Sequence, residues 1–394
     1  MKPVSLAPSV FWVGVQNPDL RVFDVIMRTA HGTSYNAYLV RGERTALIDT
    51  VKHGFEDAFL AHIRAVMDPA AIDYIIVNHT EPDHSGALAR LLEEAPRAQV
   101  IAARSGEHFV RHILNRDLPV RKVGDGDRLD LGGKTLRFVS APFLHWPDTM
   151  FTYLEEDAIL FPCDVLGAHH ASEALFDDLA GDFEQEWRYY YDVIMRPFKD
   201  KMVEALAKID GWPMRMIAPS HGPVLRSDPR RYVELYRAWS AAPAHGPGRR
   251  VVVAYVSSYG NTARMAEAVA AGAQEAGAQV RLANAEHVGA AELLDEIEAA
   301  DALLVGSSTI VGDAIKPIWD LLNGLTTVRL KGKVGGVFGS YGWSGEAIPM
   351  LEERLKGLKL RLPEPPVKAI LVPTAEDLAA CHELGRRIVT QHLA

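Results

Sequence analysis

Between residues 250 and 391, strand-like and helix-like stretches alternate five times, a regularity that constrains the fold more than any other feature of the chain. Apolar runs near 250–256, 279–283, 302–306, 334–339 and 368–372 have the length of buried strands. Stretches near 261–276, 290–298, 315–323, 345–356 and 376–391 repeat with helical spacing. Apolar strands separated by helices pair in parallel, because each helix returns the chain to the starting edge of the sheet. A doubly wound parallel five-stranded sheet is therefore expected over 249–394.

Upstream, Ala241-Ala242-Pro243-Ala244-His245-Gly246-Pro247-Gly248 cannot pack as a regular element and reads as a linker. At 394 residues the chain exceeds one ordinary core, so a first domain is placed at 1–245. Its texture is less regular. Strand-like runs stand at Val10–Val15, Tyr35–Val40 and Thr45–Thr50, the last two forming a hairpin about Arg41-Gly42-Glu43-Arg44. Phe55–Val66 has helical spacing, Tyr74–Val77 reads as a buried strand, and Ser85–Glu94 as the helix after it. Further strands are expected at Gln99–Ala102, Lys134–Val139, Ala158–Phe161 and Met216–Ala218, with a mostly helical stretch from Glu173 to Asp210.

The chemistry concentrates at strand ends. Asn78-His79-Thr80-Glu81-Pro82-Asp83-His84 places two imidazoles and two carboxylates directly after Tyr74–Val77. His145, Asp164 and His221 follow later strands, after spacers of 60, 18 and 56 residues that are long enough to bring the chain back to the same edge. Buried charged groups in such density need a cation. Four imidazoles and three carboxylates suffice for two metals with one bridging carboxylate. Nitrogen and oxygen ligation without sulfur suits iron(II), manganese or zinc, and the carboxylate excess favours the harder, redox-active choices. Asp148 and Glu155 read as surface groups or supports for a ligand. His31, His53, His62, His108, His112, His169, His170, His245, His287, His382 and His392 read as hydrogen-bonded surface or loop residues.

Composition excludes several alternatives. A net charge of −9 without a basic block argues against a nucleic-acid binder. Two distant cysteines, Cys163 and Cys381, exclude a thiolate zinc site or iron–sulfur cluster built within this chain and fit a reducing compartment. The start Met1-Lys2-Pro3-Val4 lacks a signal-peptide core, and no segment approaches the roughly 18 apolar residues of a membrane span, so a cytoplasmic location is expected.

In the second domain, strand 250–256 runs into Ser257-Ser258-Tyr259-Gly260-Asn261-Thr262 and a helix. Hydroxyls and backbone N–H groups at a helix N-terminus suit a terminal phosphate. The pattern is neither a Walker loop nor GxGxxG. The stretches Gly306-Ser307-Ser308-Thr309-Ile310-Val311-Gly312 and Gly339-Ser340-Tyr341-Gly342-Trp343-Ser344-Gly345 read as two further loops. Their small residues admit a flat ring on which Tyr341 or Trp343 can stack.

The set His79-x-Glu81-x-Asp83-His84 with His145, Asp164 and His221 resembles the ligand set of the flavodiiron proteins, and the second domain resembles their flavodoxin module. The resemblance covers essentially the whole chain. It implies a metallo-β-lactamase-like αββα sandwich for the first domain, where hydrolytic relatives usually carry His in place of Glu81. It also implies His79, Glu81 and His145 on one iron, Asp83, His84 and His221 on the other, and Asp164 bridging. FMN in the second domain, a small electron donor such as rubredoxin or a flavin reductase, and head-to-tail pairing of two subunits, or a dimer of such dimers, are further implications. The chain is similar to the minimal two-domain members, without a fused rubredoxin or reductase module.

The expected activity is reduction of O2 to water, NO to N2O, or both. His31 and one of Tyr189, Tyr190 and Tyr191 are candidate proton donors. The alternatives are a dinuclear metallohydrolase of thioesters or lactams with an accessory second domain, and a flavin electron carrier or redox sensor with a structural metal site.

Overall fold

A computed structural model describes residues 2–241, 248–288, 290–330 and 332–393. The chain divides into two compact units, Met1–Ala241 and Ala242–Ala394. Residues 242–247, including His245 and most of the expected linker, lie outside the described residues.

Two sheets stack in the first unit. One has seven strands in the order Val4–Ala7, Val10–Trp12, Tyr38–Arg41, Thr45–Ile48, Tyr74–Val77, Gln99–Ala103 and Val120–Val123. The other has five: Arg128–Asp130, Thr135–Ser140, Met150–Leu154, Ile159–Phe161 and Met216–Ile217. Strand alternation explains the layering. Ile48, Ile76 and Ile101 join Leu136, Phe138 and Met150 in a core between the sheets. Their neighbours Leu47, Ile75 and Val100 pack instead with Phe59 and Ile63 of helix Glu56–Val66 and Leu88 and Leu91 of helix Leu88–Glu94. The result is the αββα sandwich.

Four expected elements differ, the first being the run Val10–Val15, which is strand over Val10–Trp12 and again from Val15 in a different sheet. The helix expected over Ser85–Glu94 is split into a turn, Pro82–Ser85, and a helix, Leu88–Glu94, so Asp83 and His84 already lie on helical backbone. Pro82 at the first helical position needs no N–H partner and sets φ for that turn. The run Tyr35–Val40 is two strands, Thr33–Tyr35 and Tyr38–Arg41, in different sheets. Between them Asn36 leaves the ladder to bond the loop around His221. Within Glu173–Asp210 regular helix begins only at Glu184.

The second unit orders its strands as Gln279–Asn284, Arg250–Tyr255, Ala302–Ile310, Val334–Tyr341 and Val367–Ile370, all paired in parallel, with Asp313–Ala314 folded back on the third. In sequence terms this is 2-1-3-4-5, whose topological switch point lies between Arg250–Tyr255 and Ala302–Ile310. Helix Asn261–Glu275 packs against helix Ala375–Arg387 at very short range. A Cβ on Gly272 would lie 1.8 Å from the carbonyl oxygen of His382, and one on Gly385 2.0 Å from that of Val269. Among the described residues no helix is long and apolar enough to cross a membrane.

Candidate metal centre and flavin loops

Asn78 is the residue that sews the two sheets together. Fully buried, it accepts the Met150 N–H at 2.9 Å on its carbonyl, accepts the Thr152 hydroxyl at 2.7 Å on Oδ1 and donates from Nδ2 to the Phe161 carbonyl at 3.3 Å. Its own N–H goes to Asp49 Oδ1 at 2.8 Å. Burial pushes the Asp49 carboxyl up to about 6. These bonds set the loop 79–84 beside the turn carrying His145 and the strand end carrying Asp164. The parallel pairing of Ile159–Phe161 with Met216–Ile217 brings His221 to the same place. Gly222, at φ +77°, allows the chain to turn against Ala168, whose carbonyl lies 2.5 Å from where a Cβ would be.

All seven strand-end residues meet there. Asp164 is buried at the centre, with its two oxygens facing opposite ways. Oδ2 lies 3.6 Å from Nε2 of both His79 and His145, which are in turn 3.1 and 2.9 Å from Glu81 Oε2. Oδ1 lies 3.0 Å from His84 Nε2 and 3.4 Å from His221 Nε2, and Asp83 reaches those two imidazoles at 3.4 and 3.0 Å. His84 stands within reach of both halves.

Both oxygens of Asp83 and of Asp164, and Nε2 of His84, are buried and have no hydrogen-bond partner among the described residues. His84 Nε2 lies 3.0 Å from Asp164 Oδ1 and 3.4 Å from Asp83 Oδ1 without hydrogen-bonding either, the crowding expected of side chains that share a cation. Buried carboxylates without a cation are costly, so the donor set fits a pair of metal ions.

The outer nitrogens of two imidazoles are held. His79 Nδ1–H donates to Asp148 Oδ1 at 3.3 Å, and Asp148 Oδ2 accepts the Thr80 N–H at 2.9 Å. His221 Nδ1–H donates to the Ser34 carbonyl at 2.6 Å. Such bonds fix the tautomer and aim Nε2 inward. Burial opposes a charge on His79, but its bonds to Asp148 and Glu81 outweigh that and push it up to about 9. Burial likewise opposes charging of Glu81, yet the bonds from His145 and His79 hold it well below its ordinary value.

Other expectations resolve differently. Asp148 supports His79, whereas Glu155 pairs with Arg128 at 2.9 Å away from the centre. His169 is no surface residue. It is buried, bonds Thr33 Oγ1 at 2.9 Å and sits 5.1 Å from the His221 ring, and burial holds it well below its ordinary value. Of the three tyrosines, Tyr190 packs 4.9 Å from His169 and 6.0 Å from His221. Tyr191 instead bonds Ser240 at 2.9 Å, and Tyr189 is exposed. His31 lies apart, bonded to Glu186 at 2.7 Å. Tyr35, unassigned from sequence, stands 5.9 Å from the His221 ring, and burial pushes its phenol up to about 12. Its only sequence signal was its place beside Asn36.

In the second unit Thr262 ties three stretches together, its hydroxyl 3.1 Å from Ser308 Oγ and 2.9 Å from Ser340 Oγ. Ser307–Ile310 and Ser340–Tyr341 are not loops as expected. They continue their strands, since Ser308 pairs with Ser340 and Ile310 with Asp313. Gly260, Asn261 and Thr262 open helix Asn261–Glu275, and the buried hydroxyls of Ser257 and Thr309 have no partner among the described residues. Orphaned hydroxyls at a helix N-terminus fit a phosphate. Ser258 N–H faces Ser308 Oγ at 3.5 Å. Around this edge Tyr259, Ile310, Val311 and Trp343 are exposed, an apolar rim suited to a flat ring, while Gly342, Ser344 and Gly345 complete the turn beside Tyr341.

Sandwich and parallel sheet thus define a two-domain protein that joins a metallo-β-lactamase-like metal domain to a flavodoxin-like one. Residues 33–222 match the family described as ODP family beta lactamase, and residues 253–385 match Flavodoxin. The flavo-diiron protein FprA2 of Clostridium acetobutylicum is 41% identical over 398 residues, covering 98% of each chain. A protein of Moorella thermoacetica named nitric oxide reductase is 39% identical, covering 99% of each. Among solved structures, rubredoxin oxygen:oxidoreductase of Desulfovibrio gigas superposes with a TM-score of 0.73 at 30% identity, covering 100% of both chains. The chain belongs to the flavodiiron protein family, oxidoreductases with FMN and a non-haem diiron site.

Proposed function

We propose that His79, Glu81 and His145 hold one iron, that Asp83, His84 and His221 hold the other, and that Asp164 bridges them. The observation that carries this assignment is the Asp164 carboxylate, with one oxygen in each half and neither hydrogen-bonded among the described residues. Two irons there supply electrons and open positions for a small diatomic, and FMN supplies electrons singly. The substrate is O2, NO or both, as the names of the Desulfovibrio and Moorella relatives support. O2 takes up four electrons and four protons to give water, and two NO take up two of each to give N2O and water.

The residues divide the remaining work. Asp148 and the Ser34 carbonyl aim His79 and His221, so that iron ligation needs little reorganisation. Ser257, Ser258, Tyr259, Gly260, Asn261 and Thr262 surround the flavin phosphate. Ser307, Ser308, Thr309, Ile310, Ser340, Tyr341, Gly342, Trp343, Ser344 and Gly345 flank its ring. Electrons come from a small donor protein such as rubredoxin or a flavin reductase. The protein acts in the cytoplasm as a head-to-tail homodimer, which places the flavin of one subunit beside the irons of the other. The decisive experiment compares anaerobic turnover of NO with turnover of O2 under one artificial reductant. Turnover of neither would overturn the reading in favour of a flavin electron carrier or redox sensor, and purified protein holding zinc and no flavin absorption band would overturn it in favour of a metallohydrolase.

A further inference from the structure

His31, His170 and Glu186 come together outside the residues grouped around Asp164, and one donor atom from each lies within 4.8 Å of the others. Residues 31 and 170 form a backbone bridge, and the Ala171 N–H donates to the His31 carbonyl at 3.0 Å, so two distant segments are pinned side by side. Glu186, in helix Glu184–Tyr190, closes the group by accepting from His31 Nδ1 at 2.7 Å.

The side chains differ in exposure. His31 is 57% exposed and Glu186 17%, which would make their pair an ordinary surface contact. His170 does not fit that picture, because it is only 7% exposed. Its Nε2–H reaches the Ala180 carbonyl at 3.4 Å, which leaves Nδ1 as the nitrogen with a free lone pair, and Nδ1 is buried without a partner among the described residues. Burial lowers the proton affinity of this imidazole and keeps it neutral, the form that binds metals.

We propose that His31, His170 and Glu186 form a third metal site, which takes zinc(II) with water completing its coordination. Two imidazoles and one carboxylate leave one position of a tetrahedral zinc open. Ligand atoms each about 2.1 Å from a tetrahedral zinc lie about 3.4 Å apart, and exposed His31 has the freedom to adjust to that spacing. The exposed pair His108 and His112, with rings 4.3 Å apart on helix Gly106–Leu114, is the rival. It has no buried orphan atom among the described residues.

The test uses the full-length protein loaded with FMN and iron. Zinc chloride is titrated anaerobically against a chromophoric chelator, and iron and zinc are counted after desalting. The expected result is one zinc per chain bound with the iron count unchanged. His31→Ala, His170→Ala and Glu186→Gln should each weaken zinc by about tenfold or more, and His112→Ala should not. His31→Ala alters a surface side chain and keeps the test valid if His170→Ala does not fold. Zinc bound only by displacing iron, or lost in His112→Ala and retained in His31→Ala, overturns the proposal.

Discussion

Asp164 Oδ1 lies 3.0 Å from His84 Nε2, and the other oxygen of the same carboxylate faces His79 and His145. One side chain therefore faces both halves of the proposed site. Asp164→Ala should lower the iron content of both positions, from two per chain towards none, while one FMN per chain remains. Iron analysis with the flavin spectrum checks this, and retention of two irons would exclude bridging.

Asp148 bonds one proposed ligand, through His79 Nδ1, and also accepts the Thr80 N–H. Asp148→Asn removes the charge but keeps the shape, so the expected loss of iron affinity is about 10- to 100-fold, against complete loss for His79→Ala. Iron competition with a chelator separates the two variants. Equal losses would mean that Asp148 does more than orient His79.

Metal uptake should release protons. His79, pushed up to about 9 in the metal-free chain, is charged at neutral pH and must lose the Nε2 proton to bind iron. A raised histidine favours the proton below that value, so iron affinity should climb as pH rises towards about 9 and level off beyond it. A ferrous titration in weakly buffered solution with a pH indicator reads the protons directly, and uptake without proton release would contradict the assignment of His79.

Thr262, one of the residues proposed to surround the flavin phosphate, joins Ser308 and Ser340. Thr262→Ala removes a hydroxyl that meets two others, and FMN affinity should fall about tenfold or more, corresponding to a loss of about 1.4 kcal/mol or more, with iron content unchanged. Fluorescence of released flavin reports the change.

The tight contact between helices Asn261–Glu275 and Ala375–Arg387 depends in part on Gly385, where a Cβ would lie 2.0 Å from the Val269 carbonyl. Gly385→Ala should destabilise that unit by about 1–3 kcal/mol through overpacking. Denaturant unfolding followed by flavin release should show the loss, and unchanged flavin release would argue against so tight a contact.

Much of the site was legible because ligation demands particular side chains. His79, Glu81, Asp83, His84, His145, Asp164 and His221 have the donor chemistry, and each follows a strand-like run. What escaped was support. Asp148 reads equally as a surface group or as a support, like Glu155, until its contact with His79 is seen. His169 looks like a loop histidine until the fold buries it against His221. Neither carries a local signal, since burial and partners are supplied by residues far away in the chain. The extent of Ala302–Ile310 was missed for the same reason: its last residues are strand only because Asp313–Ala314 folds back on them.

By itself the amino-acid sequence determined the parallel sheet of the second unit, through strand and helix periods, and singled out seven candidate donors, through side-chain chemistry. Tertiary structure shows these side chains meeting around Asp164, because the meeting point depends on Asn78 bonding both sheets and on the pairing of Ile159–Phe161 with Met216–Ile217. It alone placed His31 beside His170 and Glu186. Periodicity and composition are local properties, whereas convergence is set by hydrogen bonds and packing between segments that no local pattern connects.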